Sequence, residues 1–286
     1  MQDDTIRILV PLDGSPTAET ILPALMPLVG RRPTTLTLLQ ILDRVDEIEA
    51  SRSYLSRLQK DLKRDGVQAV PLVELGRPAD EILNWAQPRK HDLAAMTTHG
   101  RTGLRRAFMG SVAEEVVRHS TIPLVLNRPD TKIGDWKRIV VALDGSAISE
   151  RILDEATRLA RLLQATLHIV RVSLPLLPTA DMFFEPMPSA AEDPEPYLEE
   201  ICTRLAGRGI FAVPVLREGF AGVEIGEYAS EISAGLIAMM TEGRSGFPRL
   251  LSGSVAEEVL RSAPCPVLVR RWASVPVEKP MPVMPP

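Results

Sequence analysis

The sequence predicts an α/β protein made of two doubly wound, parallel-sheet domains in tandem. Three observations predict it. Continuous apolar runs that end in turn residues alternate with helical patterns. The whole pattern occurs twice. The chain has 286 residues, room for two units at roughly 150 residues each.

The elements of the first copy follow in order. Ile6–Leu12 is an apolar run ending at Asp13-Gly14-Ser15, which reads as a strand buried on both faces. Ser15-Pro16 supplies an N-cap and an N1 proline for a helix. Strands are expected at Thr35–Leu42, Val67–Glu74, Leu93–Thr97 and Pro123–Asn127. The helices between them are expected at Ile48–Asp65, Pro78–Gln87 and Ser111–His119. The second copy has strands at Ile139–Leu143, Thr166–Val172, Phe211–Arg217, Leu236–Met240 and Pro266–Val269, with a helix starting at Ser254.

Duplication is read directly. Ile8-Leu-Val-Pro-Leu-Asp-Gly-Ser15 recurs as Ile139-Val-Val-Ala-Leu-Asp-Gly-Ser146. Gly110-Ser-Val-Ala-Glu-Glu-Val116 recurs unchanged as Gly253–Val259. The two motifs stand farther apart in the second copy, which has therefore gained length between them. Domains are placed at 1–129 and 135–272, with a short polar linker between them and a proline-rich tail over 273–286. The added length is placed at 173–196, which holds six prolines and leaves the end of a strand beside the second crevice. A lid there and an insertion without a role are both open.

Composition excludes several classes. A net charge of −4 with 4% aromatic residues gives neither a phosphate-binding field nor base-stacking platforms, so nucleic acid is not an expected partner. No uninterrupted apolar run is long enough to span a membrane. The acidic N-terminus has no signal-like apolar stretch, and a cytoplasmic location is expected. Cys202 and Cys265 are too few for a disulfide framework or a metal site and read as plain thiols.

Asp13 and Asp144 stand where their strands end, at the sheet edge that carries the crevice in open parallel sheets. A carboxylate there can accept from a ribose hydroxyl or an exocyclic amine. It can equally bond the backbone of its own turn. The run through Gly100, Gly103 and Gly110-Ser111 leads from the fourth strand into a helix, as a phosphate cradle would. It matches neither a P-loop nor a dinucleotide fingerprint. Ser111-Val-Ala-Glu114 and Ser254-Val-Ala-Glu257 also fit capping boxes. Arg101 and Arg244 follow the loop glycine in both copies, placed to screen phosphate charge or simply solvated. His99 is matched by Glu242, so it has no role common to both copies. No nucleophile–base pair and no metal site can be named, and catalysis is not expected.

These motifs together resemble the universal stress protein family: the strand ending in Asp-Gly-Ser, Thr98-His-Gly-Arg-Thr-Gly-Leu104, and Gly-Ser-Val-Ala-Glu-Glu-Val followed by Pro123-Leu-Val-Leu126. The resemblance covers about residues 5–128 and 136–271. It implies a Rossmann-like fold of the adenine nucleotide alpha hydrolase type and ATP, with or without Mg²⁺, as ligand, with at most slow hydrolysis. Asp13 and Asp144 would face adenine or ribose. Ile41 and Val172, at the same separation from their aspartates in both copies, would contact adenine through their backbone. Gly100, Gly110 and Ser111, with Gly243, Gly253 and Ser254, would hold the phosphates. Pro11, Leu12, Val112, Ala142 and Val255 would complete the walls.

ATP-binding members carry Gly-x2-Gly-x9-Gly-(Ser/Thr), and here the first glycine is Thr97 in one copy and Met240 in the other. A side chain there is expected to crowd the nucleotide, more with Met240 than with Thr97. The resemblance also implies pairing of the two domains through Leu124–Leu126 and Val267–Val269, and leaves association of two chains open. Two functions stay in play besides adenylation by an analogous fold: ATP binding, first site over second, and a non-nucleotide interaction module.

Overall fold

The computed structural model describes residues 5–88, 90–98, 109–174, 193–241 and 254–271. The first repeat contains β1 (Ile6–Pro11), α1 (Pro16–Glu19), α2 (Ile21–Leu25), β2 (Thr34–Leu42), α3 (Ile48–Arg64), β3 (Gln68–Leu75), α4 (Pro78–Trp85), β4 (Leu93–Thr97), α5 (Ser111–His119) and β5 (Leu124–Asn127). The second contains β6 (Arg138–Ala142), α6 (Ile152–Leu163), β7 (Thr166–Ser173), α7 (Pro194–Ala206), β8 (Ala212–Glu218), α8 (Ala221–Glu231), β9 (Leu236–Met240), α9 (Ser254–Ser262) and β10 (Val267–Arg270).

The strands form one ten-stranded sheet in the order β3-β2-β1-β4-β5-β10-β9-β6-β7-β8. Every neighbour pair within a repeat is parallel. β10 meets β5 antiparallel, with Val267 opposite Leu126 and Val269 opposite Leu124. Strand order reverses between β1 and β4, which opens a crevice at their carboxyl ends. The outermost strands β3 and β8 carry Pro71 and Pro214 at equivalent rungs, opposite Leu38 and Ile169.

Alternation of side chains divides the core between the two faces of the sheet. Ile8, Val10, Leu36, Leu38 and Ala95 pack with α2 and α3, and the same layer continues through Ile139, Val141 and Met240 under α6 and α7. Leu9, Leu39, Ala94 and Met96 pack under α4 and α5, and Val140, Ile237 and Met239 under α8 and α9.

The helix expected after Ser15 is broken. Ser15 caps it as expected, its Oγ accepting from Ala18 N at 3.1 Å. α1 then stops at Glu19, and α2 ends at Leu25, little more than a turn later. Pro23 and Pro27 remove backbone donors there, and the equivalent residues of the second repeat are Asp154 and Arg158. With those substitutions α6 runs unbroken for 12 residues and closes on Gln164 in the left-handed region.

Two further expectations change. Ser111 does not cap α5: the cap is Gly110, whose carbonyl accepts from Glu114 N at 2.9 Å, and Ser111 is the first helical residue. α9 likewise begins at Ser254. The insertion expected over 173–196 is shorter at both ends. Ser173 still belongs to β7, and Asp193 caps α7 by accepting from Glu195 N at 3.2 Å, with Pro194 at N1. Residues 175–192 and the tail expected at 273–286 lie outside the described residues.

Candidate functional site

The crevice of the first repeat is a cleft of about 260 Å³. Pro11, Leu12 and Asp13 enter it from the end of β1, Ile41 from β2, Met96, Thr97 and Thr98 from the end of β4, and Gly110, Ser111 and Val112 from the start of α5. All first-copy residues proposed from the sequence that are described meet here. Ala18, Pro78, Ile82, Met96, Thr98 and Ala113 also line it. The helical spacing of Pro78 and Ile82 on the inner stripe of α4 is the signal that would have found that wall.

The chain is shaped locally to open this cleft. β1 is apolar from Ile8 onward, so Asp13 is the first polar residue past its end. Asp13 Oδ1 accepts from Ser15 N at 2.9 Å and Ser15 Oγ at 2.6 Å. The aspartate therefore forms its own turn and lines the cleft at once, and the two sequence readings coexist. Gly14 has φ +82°, which favours glycine, and Gln40 Nε2 lies 3.1 Å from where its Cβ would be. Gln40 is buried, its Oε1 accepting from Ser51 Oγ at 2.6 Å.

Across the cleft, β4 hands over to α5 through a short bond from Gly110 N to Thr98 O at 2.7 Å. Among the described residues a Cβ on Gly110 would meet only that carbonyl, at an ordinary 3.5 Å. The helix start brings backbone donors and the positive end of its dipole to the cleft. Ser111 is exposed and, at N1, is not used as a cap. Apolar walls, one carboxylate, one hydroxyl and a helix N-terminus suit a ligand with a flat apolar part, hydroxyls and an anion.

The second repeat differs. Ala142, Asp144, Val172 and Met240 occupy the ends of β6, β7 and β9, with Ser254 and Val255 at the start of α9. The Asp144 turn is kept: Oδ1 accepts from Ser146 N at 2.9 Å, and Gly145 has φ +81°. The support beneath it is changed. Arg171 replaces Gln40 and Pro194 replaces Ser51. The Arg171 guanidinium lies 5.1 Å from the Tyr197 ring centroid, and its Nη1 is buried without a hydrogen-bond partner among the described residues. Met240 stands at the place of Thr97, which lines the first cleft, and its side chain packs in the α6–α7 layer, on the other face from Met239. Gly100, Arg101, Gly103, Gly243, Arg244 and Gly253 lie outside the described residues.

Other groups with chemical potential are structural. His91 is 3% exposed and bridges Trp85 O and Thr37 Oγ1, each at 2.9 Å. Burial holds its pKa below the ordinary 6.5. His168, which occupies the place of Thr37, meets Tyr228 Oη at 2.8 Å and is lowered by the same cause. Burial pushes the Cys265 thiol up to about 12. Among the described residues no helix is long and apolar enough to cross a membrane.

Comparison with known proteins adds the family. A universal stress protein of Methanocaldococcus jannaschii is 33% identical over 141 residues, covering 47% of this chain and 81% of its own. A longer relative from Mycobacterium tuberculosis, also a universal stress protein, is 30% identical over 190 residues, 63% of this chain and 62% of its own. A solved universal stress protein from Archaeoglobus fulgidus shares the fold across 93% of this chain and 98% of its own, with TM-score 0.73 at 22% identity. The model of the universal stress protein family matches residues 6–128 and again 135–271. The chain thus belongs to the universal stress protein family, as a member with two of its domains in tandem.

Proposed function

We propose that this chain is a stress-response protein that works by binding an adenine nucleotide, ATP with or without Mg²⁺, in the first-repeat cleft. One observation carries the reading. The cleft at the strand-order reversal gathers Asp13, Ile41, Gly110 and Ser111 from three separate stretches of the sequence. In this reading Ile41, Val112 and Met96 flank the base, Asp13 accepts from the ribose, and the α5 start with Ser111 holds phosphate. The first site is preferred to the second because the turn of Asp13 rests on the paired Gln40 and Ser51, whereas that of Asp144 has lost both.

The protein acts through occupancy rather than turnover, in the cytoplasm, with the two domains paired through β5 and β10 inside one chain. A second reading, an interaction module without nucleotide, is favoured by the replacement of the family's first glycine in both repeats. Purified protein is denatured and the released small molecules are analysed for adenine nucleotide; added ATP is then titrated by calorimetry. Retained or bound nucleotide supports the first reading. A chain that neither carries nor binds adenine nucleotide at about millimolar concentration, far weaker than typical ligand affinities, supports the second.

A further inference from the structure

A second cleft, of about 510 Å³, lies between the two repeats and away from the nucleotide site. Its first-repeat wall includes Thr5, Arg32 and Asp92, and its second-repeat wall is one face of α6 together with Arg208. Asp154, Thr157, Arg158 and Arg161 fall on that face at helical spacing.

Charge here is unbalanced. Asp92 is taken up by Arg7, accepting from its backbone N at 2.9 Å, with Arg7 Nε at 3.7 Å. Among the described residues Arg158, Arg161 and Arg208 make no ion pair, although most of the other described arginines do. Arg161 donates instead to the Arg208 carbonyl at 3.3 Å, which ties two parts of the wall together. Asp154 is the remaining carboxylate of the lining, and Glu155 beside it, bonded to Arg270, also faces the charge of Arg158. Thr157 adds a buried hydroxyl that has no hydrogen-bond partner among the described residues.

The arginines are also specific to this wall. In the first repeat the places of Arg158, Arg161 and Arg208 are taken by Pro27, Gly30 and Asp65. Duplication kept the core and the crevice but not these charges, in a chain whose net charge is −4. Guanidinium forks match phosphate oxygens in pairs.

We propose that this inter-repeat cleft is a second ligand site, for a compact polyphosphate-type anion that bridges α6 and the first repeat. The site is independent of the nucleotide reading. The test is calorimetric titration of the full chain with inorganic tripolyphosphate, with citrate as a carboxylate comparator. The wild type is expected to bind tripolyphosphate and to bind it less as salt rises. Arg158→Ala/Arg161→Ala is expected to lose about tenfold or more in affinity. Both side chains are exposed, and an unchanged melting temperature without ligand shows that the variant is folded. Gly110→Val is expected to keep tripolyphosphate binding, which separates this cleft from the other. Absence of binding at millimolar tripolyphosphate, wild-type affinity in the double variant, or loss of binding with Gly110→Val alone would each overturn the proposal. Citrate binding as tightly as tripolyphosphate would overturn its phosphate specificity.

Discussion

The two repeats share strand order, the Asp-Gly-Ser turn and the Gly-Ser helix start, yet they differ wherever something outside the core touches them. At the start of β4 the first repeat has Asp92, whose carboxylate holds the Arg7 backbone. The equivalent residue before β9 is Gly235, against which Asp135 and Trp136 lie so tightly that a Cβ would fall 1.8 Å from the Asp135 carbonyl. The linker docks into the second repeat where the first has a side chain. Beneath the ligand turn, Gln40 with Ser51 is replaced by Arg171 stacked on Tyr197. Duplicated cores are constrained by their own packing, while the positions around them diverge with each repeat's neighbours.

The largest effect is expected from breaking the linker contact. Gly235→Ala should lower unfolding free energy by about 3 kcal/mol, since backbone rather than a side chain must move. Asp92→Ala, at the equivalent place, should cost only about 1 kcal/mol for its lost hydrogen bond. Denaturant unfolding of both variants checks the ratio, and equal losses would show that the linker is not anchored there.

The next effect concerns the crevices. Gly110→Val should weaken ATP binding about tenfold or more, equivalent to about 1.4 kcal/mol. Among the described residues the substitution meets only the Thr98 carbonyl, so the fold should survive it. Gly253→Val should do less. Calorimetry on the two variants ranks the sites, and a reversed order would move the principal site to the second repeat.

The smallest effect is a pH dependence shared by the repeats. Burial lowers the pKa of His91 and His168 below 6.5, so the unfolded chain takes up protons first on acidification. Their contribution to stability is complete above 6.5 and is lost as pH falls below it. Melting temperature should therefore drop on acidification through that range, and His168→Asn should flatten part of the slope. An unchanged slope in the variant would assign the acid sensitivity elsewhere.

Much of this was legible in the sequence because parallel strands buried on both faces read as unbroken apolar runs. β4 falls on its expected boundaries for that reason. Asp13, Gly110 and Ser111 were legible because a crevice at strand ends is fixed by topology, whereas Ile41 came only from the resemblance to the family. What was missed depends on geometry finer than pattern. A Ser-x-x-Glu capping box in the wrong register by one residue looks the same in sequence, yet Gly110 is the cap. Which layer Met240 packs in, that of α6 and α7, is likewise invisible in the pattern. The early end of α2 was written in Pro23 and Pro27, but Asp154 and Arg158 had to be aligned to them before it showed, while the break after the first turn recurs in the second repeat, where a 3-10 turn over Ser149–Arg151 precedes α6. The inter-repeat arginines have no motif at all, being joined only by how the halves dock.

Pro71 and Pro214 carry one more consequence. A sheet propagates by offering a row of amide donors to the next strand, and an edge proline leaves a gap in that row. Here the gap falls at the same rung on both outer flanks, opposite Leu38 and opposite Ile169. A wide ribbon that is strongly apolar inside is thereby terminated at both selvedges. Lateral accretion of further chains is discouraged by covalent structure alone, whatever the concentration to which the protein rises.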